Sequence, residues 1–139
     1  MKSLKSILVV FAALLMAGVA QGQTTKVRAF IPFDFVVGDR AYSAGEYWLQ
    51  STRTQGVIQI GDARDSGSVM VLSNACETLA PAEQTKLVFR RMGDNYFLSQ
   101  VWVEGRTVGR EFPRSQVEIK MAQNHEKADA VIVAANLVK

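Results

Sequence analysis

The sequence predicts a mainly β protein: an antiparallel meander of about seven or eight strands, forming a small barrel or a sandwich, with one short helix before a last strand. Three observations carry that expectation. Turn-forming clusters recur at spacings of about ten residues along the chain. The runs between them are short and extended in character, with apolar and polar positions alternating in several of them. One segment alone, beginning at Ser115, changes to helical spacing behind a capping signature.

The first 22 residues stand apart from that fold. Lys2 and Lys5 precede an apolar run from Ile7 to Ala20, and small residues follow at Ala20-Gln21-Gly22. A charged start, a short apolar centre and a small-residue exit form a secretory signal peptide. The run covers 14 residues, short of the roughly 20 that a membrane-spanning helix needs. Cleavage is expected after Gly22 or Ala20. That leaves a single β domain over residues 23–139, exported to the periplasm or beyond the cell, with no membrane anchor.

The first expected strand is Val27 to Val37, where Phe33 and Phe35 alternate around Asp34. Pro32 has no N–H to give a ladder and marks an edge or a bulge. Gly38-Asp39 and Ser43-Ala44-Gly45 read as turns. Glu46 to Thr52 carries Tyr47 and Leu49 on one face and Trp48 on the other. A polar turn over 53–56 joins it to Val57–Ile60 as a hairpin. After a polar loop at 61–67, an extended stretch runs from Ser68 to Leu79 and is broken at Pro81. The next hairpin joins Thr85–Arg91 to Tyr96–Val103 through Met92-Gly93-Asp94-Asn95, where Gly, Asp and Asn tolerate positive φ. A turn at Glu104-Gly105-Arg106 leads to Thr107–Phe112. Ser115 and Glu118 then fit a capping box, with Glu118 reaching back to the cap N–H of a helix over about residues 116–124. The last run, Ala130 to Val138, is apolar at nearly every position, as in a strand buried on both faces.

Pairing across the 92–95 turn sets Phe89 opposite Leu98 and Arg91 opposite Tyr96. One face then carries Leu87, Phe89, Tyr96, Leu98 and Trp102, and the other Val88, Phe97, Val101 and Val103. Both faces are apolar, so something must cover the second: the helix, another sheet layer, barrel closure or a partner.

Composition excludes several functions. Of 16 Lys and Arg, Lys2 and Lys5 lie in the leader; the remaining 14 face 13 Asp and Glu, and the basic residues are scattered. No concentrated basic face for nucleic acid results. Cys76 is the only cysteine, so no internal disulfide is expected, and it reads as a small buried hydrophobe. His125 is the only histidine; any triad or Cys–His pair would have to use it, and its polar neighbours Glu126 and Lys127 place it on the surface. No catalytic residue, metal site or cofactor motif is assigned. Asp62 and Asp65 flank Arg64 without the dense acidic spacing of calcium loops. Arg106 and Arg110 are in phase on a strand, either as a solvated face or as a face for an anionic ligand such as a polysaccharide or a lipid headgroup. Tyr47, Trp48, Tyr96, Phe97 and Trp102 read as core before sugar platform.

Three stretches carry a resemblance. Phe30-Ile31-Pro32-Phe33-Asp34-Phe35-Val36-Val37-Gly38 and Ser43-Ala44-Gly45-Glu46-Tyr47 come first. Then follow Leu87 to Trp102, and Ser115 to Glu118. Together they resemble a group of small exported soil-bacterial proteins with a VPFDFxVG, LPAGxY, LVFxRxGxxYFLxxVW pattern. The chain departs from it at Tyr42-Ser43, where Leu-Pro is usual. The group has no assigned activity. The resemblance therefore implies a shared fold and export, and no site residues.

The leading expectation is a non-enzymatic exported β domain that binds an apolar small molecule or an envelope partner, from the apolar character of both hairpin faces. One alternative is a hydrolase of an envelope polymer using two converging carboxylates. The other is an assembly module that works by strand addition.

Overall fold

The computed structural model describes residues 24–124 and 126–138. The leader expected over 1–22 and the surface position expected for His125 lie outside the described residues. Among the described residues, twelve strands and one helix occur: β1 Lys26–Ile31, β2 Phe35–Val37, β3 Arg40–Tyr42, β4 Gly45–Ser51, β5 Val57–Asp62, β6 Ser68–Leu72, β7 Asn74–Glu77, β8 Lys86–Met92, β9 Asn95–Trp102, β10 Val108–Glu111, α1 Gln116–Gln123, β11 Asp129–Ala134 and β12 Asn136–Val138.

They form two sheets. The first has the order β12-β1-β4-β5-β6; the second runs β11-β8-β9-β10-β7, with β2 beside β9 and β3 beside β2. All neighbours are antiparallel except β2 and β9, which run parallel at Val36 and Phe97. The inward faces stack on one apolar core that includes Ile31, Phe35, Tyr47, Ile60, Leu87, Phe89 and Phe112. The mainly β expectation holds, and of its two forms the sandwich is the one present: the sheets do not close into a barrel.

Twelve strands replace the seven or eight expected for one reason above all. Three runs that read as continuous each break and pass from one sheet to the other. The first breaks at Pro32, sending β1 to the first sheet and β2 to the second. The second breaks at Ser73, between β6 and β7. The third breaks at Ala135, between β11 and β12. Such corners let one chain line both layers of a sandwich. The short β3 is the remaining addition. It pairs with β2 across a turn in which Gly38 takes φ 59°.

The β8–β9 hairpin has the expected pairs, Phe89 with Leu98 and Arg91 with Tyr96, around Gly93 at φ 59°. Its far half differs from the expectation. Val88 faces Gln100 while Phe89 faces Leu98, so Ser99 is an extra residue in β9. A bulge of one residue reverses the faces beyond it. Val101 therefore joins Leu87 in the core, and Trp102 turns to the outer side. There its ring lies across Gly109: a Cβ at that position would come within 2.7 Å of it. Trp48 lies over its cross-strand partner Gly61 in the same way on the first sheet.

The helix covers part of the second sheet's outer side. Ser115 caps it, accepting from Glu118 N–H at 3.1 Å. Only that half of the capping box forms. The Glu118 carboxylate does not return to the cap; it accepts from Nε and Nη2 of Arg90 on β8, whose Nη1 donates to Ser99 Oγ at 2.9 Å. Glu118 is 1% exposed, and a carboxylate buried that far requires a charged partner.

The final run differs from the expectation as well. It is not buried on both faces: β11 and β12 are sheet edges, with Ile132 53% exposed and Val138 43%. Its apolar side chains serve two edges: β11 turns Val131 and Val133 inward, and β12 is exposed at all three of its residues.

Candidate functional site

The interior between the sheets is packed at one end and hollow at the other. At the packed end Phe35 meets Tyr42, Tyr47 and Phe89 with ring centroids 5.1 to 5.6 Å apart. Phe33 meets Phe89 and Tyr96 at 4.9 and 3.8 Å. The Pro32–Phe35 stretch is held there by Asp34, which accepts the Ala44 N–H at 2.8 Å. Tyr47 donates to Ser43 O at 2.6 Å. Burial pushes the Tyr42 and Tyr47 hydroxyls above their ordinary pKa.

Towards the other end the inward residues become smaller. Val27, Leu49 and Ile58 of the first sheet face Val101, Val103 and Val108 of the second across a cleft of about 290 Å³. Its walls carry no Asp or Glu. Polar groups gather only at the mouth: Thr25, Gln50, Ser51, Arg106 and Arg110.

The two arginines reach the mouth by different routes. Arg110 lies on β10, and from there its Nε donates to Ser73 Oγ at 2.9 Å and its Nη2 to Ser73 O at 2.7 Å. Arg106 precedes β10, in a turn fixed by Arg106 N–H on Val103 O and Ala82 N–H on Arg106 O. Its Nη1 donates to Thr25 Oγ1 at 3.1 Å. Thr25 is itself tied to the first sheet through its N–H on Ser51 Oγ at 2.8 Å. Each arginine thus crosses from the second sheet to a residue flanking the first, Arg106 to Thr25 before β1 and Arg110 to Ser73 after β6. Among the described residues neither has a carboxylate within 4.0 Å.

Arg106 and Arg110 were expected to share a strand face. The structure brings both to one opening, although Arg106 is off the strand. Sequence reading missed Thr25 and Ser73 as their acceptors. No local signal marks a contact made across 81 or 37 positions.

The other candidates lie elsewhere. Asp62 is held by Arg64, which donates through its backbone N–H at 2.8 Å and through Nε and Nη2 at 3.0 Å each. Those bonds hold the Asp62 carboxyl below its ordinary pKa. The carboxylate is therefore engaged, and the calcium reading of Asp62 and Asp65 has no support. Among the described residues, no three His, Cys, Asp or Glu side chains gather as a metal site. Cys76 sits on β7 opposite Gly109 and is half-buried, where full burial was expected; desolvation raises its thiol pKa. Tyr47, Phe97 and Trp102 are buried; Trp48 and Tyr96 are half-buried. No helix among the described residues is long and apolar enough to cross a membrane.

Comparison of the chain with protein-family models, with curated proteins and with solved structures found no match.

Proposed function

We propose that the protein binds a small amphiphile in the cleft between its sheets: a medium-length acyl chain with an anionic head, of the fatty-acid class. One observation carries this reading. Two arginines without carboxylate partners among the described residues stand at the mouth of a cleft with aliphatic walls. The walls suit the tail, which gains about 25 cal/mol for each Å² removed from water. The guanidinium groups suit the head, since Arg meets a carboxylate through two parallel N–H bonds. Their present acceptors, a threonine hydroxyl, a serine hydroxyl and a carbonyl, are neutral. An anionic head offers a stronger bond, about 1.5–3 kcal/mol for a hydrogen bond to a charged group against about 1 for a neutral one.

The walls hold no acid or base, which favours binding over carboxylate-based hydrolysis at this place. In an exported protein, as the leader predicts, such a site would serve to carry or sequester amphiphiles in the envelope.

Calorimetric titration with a headgroup series tests the reading. Decanoate should bind one per chain. Decanol should bind at least about tenfold more weakly, the loss of one charge-assisted contact. Decyltrimethylammonium should not bind. The pair Arg106→Glu and Arg110→Glu should abolish decanoate binding. Equal affinity for all three probes, or affinity for none, would contradict the assignment.

A further inference from the structure

The free side of β6 offers a second site, independent of the cleft. Ser73 N–H donates to Gly56 O at 2.7 Å, which makes residues 56 and 73 a hydrogen-bonded pair. The register continues through Ile58 with Val71 and Ile60 with Val69. On the other side of β5, Val57 O accepts from Thr52 N–H and Ala63 N–H donates to Glu46 O. Odd-numbered β5 residues therefore bond towards β4 and even-numbered ones towards β6. In an antiparallel pair, successive residues present their N–H and C=O to alternate sides. Val69 and Val71 thus bond to β5, and Ser68, Met70 and Leu72 direct their backbone groups outward. β6 ends its sheet, so among the described residues nothing receives them.

That edge carries none of the usual protection. Ser68 to Leu72 contains no charge and no proline, and Met70 and Leu72 are 60% and 70% exposed. A groove of about 420 Å³ lies alongside, with Val69 to Leu72 on one side and Arg40, Tyr42 and Arg114 on the other. Arg40 and Arg114 are exposed and have no carboxylate within 4.0 Å among the described residues. The one acid in the groove, Asp39, accepts the Gln116 N–H at the start of α1.

The geometry points to β6 as the docking edge for an extended, acidic peptide segment of another protein. The segment adds antiparallel to Ser68–Leu72 and sets its carboxylates against Arg40 and Arg114. Main-chain bonds to Ser68, Met70 and Leu72 hold it. Charge decides against a second copy of this chain, which would bring its own Arg40 and Arg114 into the same seam.

The test uses a short synthetic peptide alternating Val and Glu, and a control alternating Val and Lys, with amide exchange followed by NMR on the purified chain. The Val–Glu peptide should slow exchange at Ser68, Met70 and Leu72 about tenfold or more, and the Val–Lys peptide should not. Met70→Pro removes an outward N–H and no bond to β5, so the variant should fold and lose that protection. The pair Arg40→Glu and Arg114→Glu changes exposed side chains alone and should reverse the preference between the peptides; it decides the matter if Met70→Pro does not fold. Three results would overturn the proposal: no protection at millimolar Val–Glu peptide, protection elsewhere only, or protection of these three amides by self-association of the free chain.

Discussion

Along β1, β4 and β9 the inward side chains shrink from one end of the sandwich to the other. Ile31, Tyr47 and Tyr96 give way to Val27, Leu49 and Val101. At the first end Phe33, Phe35, Tyr42 and Phe89 complete a ring cluster, and α1 braces the outer side through Arg90 and Glu118. At the second end no aromatic enters, and a hollow remains. The same pair of sheets is thus filled by rings at one end and underfilled by smaller aliphatics at the other. An aromatic buries about 150–250 Å² and a β-branched aliphatic much less. The difference assigns stability to one end and a binding site to the other.

The largest test of that division removes the centre of the packed end. Phe89 is fully buried among rings, so Phe89→Ala should cost about 3–5 kcal/mol in urea unfolding. A loss under about 1 kcal/mol would show that this end is as loose as the other. Next is the brace outside it. Glu118→Gln leaves Arg90 without its anion in a mostly buried place and should cost about 3 kcal/mol, at the low end for a broken buried pair because Arg90 keeps 19% side-chain exposure.

A matched pair of enlargements sharpens the comparison most. Ile31→Phe at the packed end should destabilise by about 1–3 kcal/mol through overpacking. Val101→Phe at the hollow end should cost less than about 1 kcal/mol, because space is present, and should abolish decanoate binding. Equal costs at the two positions would mean that the ends do not differ.

The sequence makes the packed end legible. Tyr47 on the inward face of β4 and the Gly93-Asp94 turn are local patterns, and each does what its spacing predicts; Phe33 and Phe35 both turn to the core, but Phe33 and Asp34 lie in the bend after Pro32 and not in the strand that their alternation predicts. The corners are legible only where chemistry marks them. Pro32 announces its break, whereas Ser73 and Ala135 sit in runs with no local breaker and are bent by contacts from afar: Arg110 on Ser73, and Ala135 N–H on Thr85 O at 3.0 Å. The Ser99 bulge likewise has no signal, so Trp102 and Val101 exchange faces unannounced. The cleft is hidden for a further reason. Val27, Val101 and Val108 look like any core valines, and a hollow is a relation between two sheets.

The smallest expected effect lies at the surface of the first sheet. The folded pKa of Asp62 is held below its ordinary value of 3.8 by bonds from Arg64. Its contribution is therefore complete above that ordinary value and is lost as pH falls through the lower, folded one. Arg64 is exposed and Asp62 is half-buried at the surface, so the pair is screened, and Asp62→Asn should lower the melting temperature at neutral pH by no more than about a degree or two. The variant's melting temperature should also fall slightly less steeply in acid than that of the parent. A larger shift would mean that this loop helps to hold the sandwich.

The division of the interior is tested most directly by methyl NMR during a decanoate titration. Methyl signals of Val27, Leu49, Ile58 and Val101 should shift and saturate together, while those of Ile31 and Leu87 stay in place. Shifts spread evenly over both groups, or absent from the first, would contradict the account.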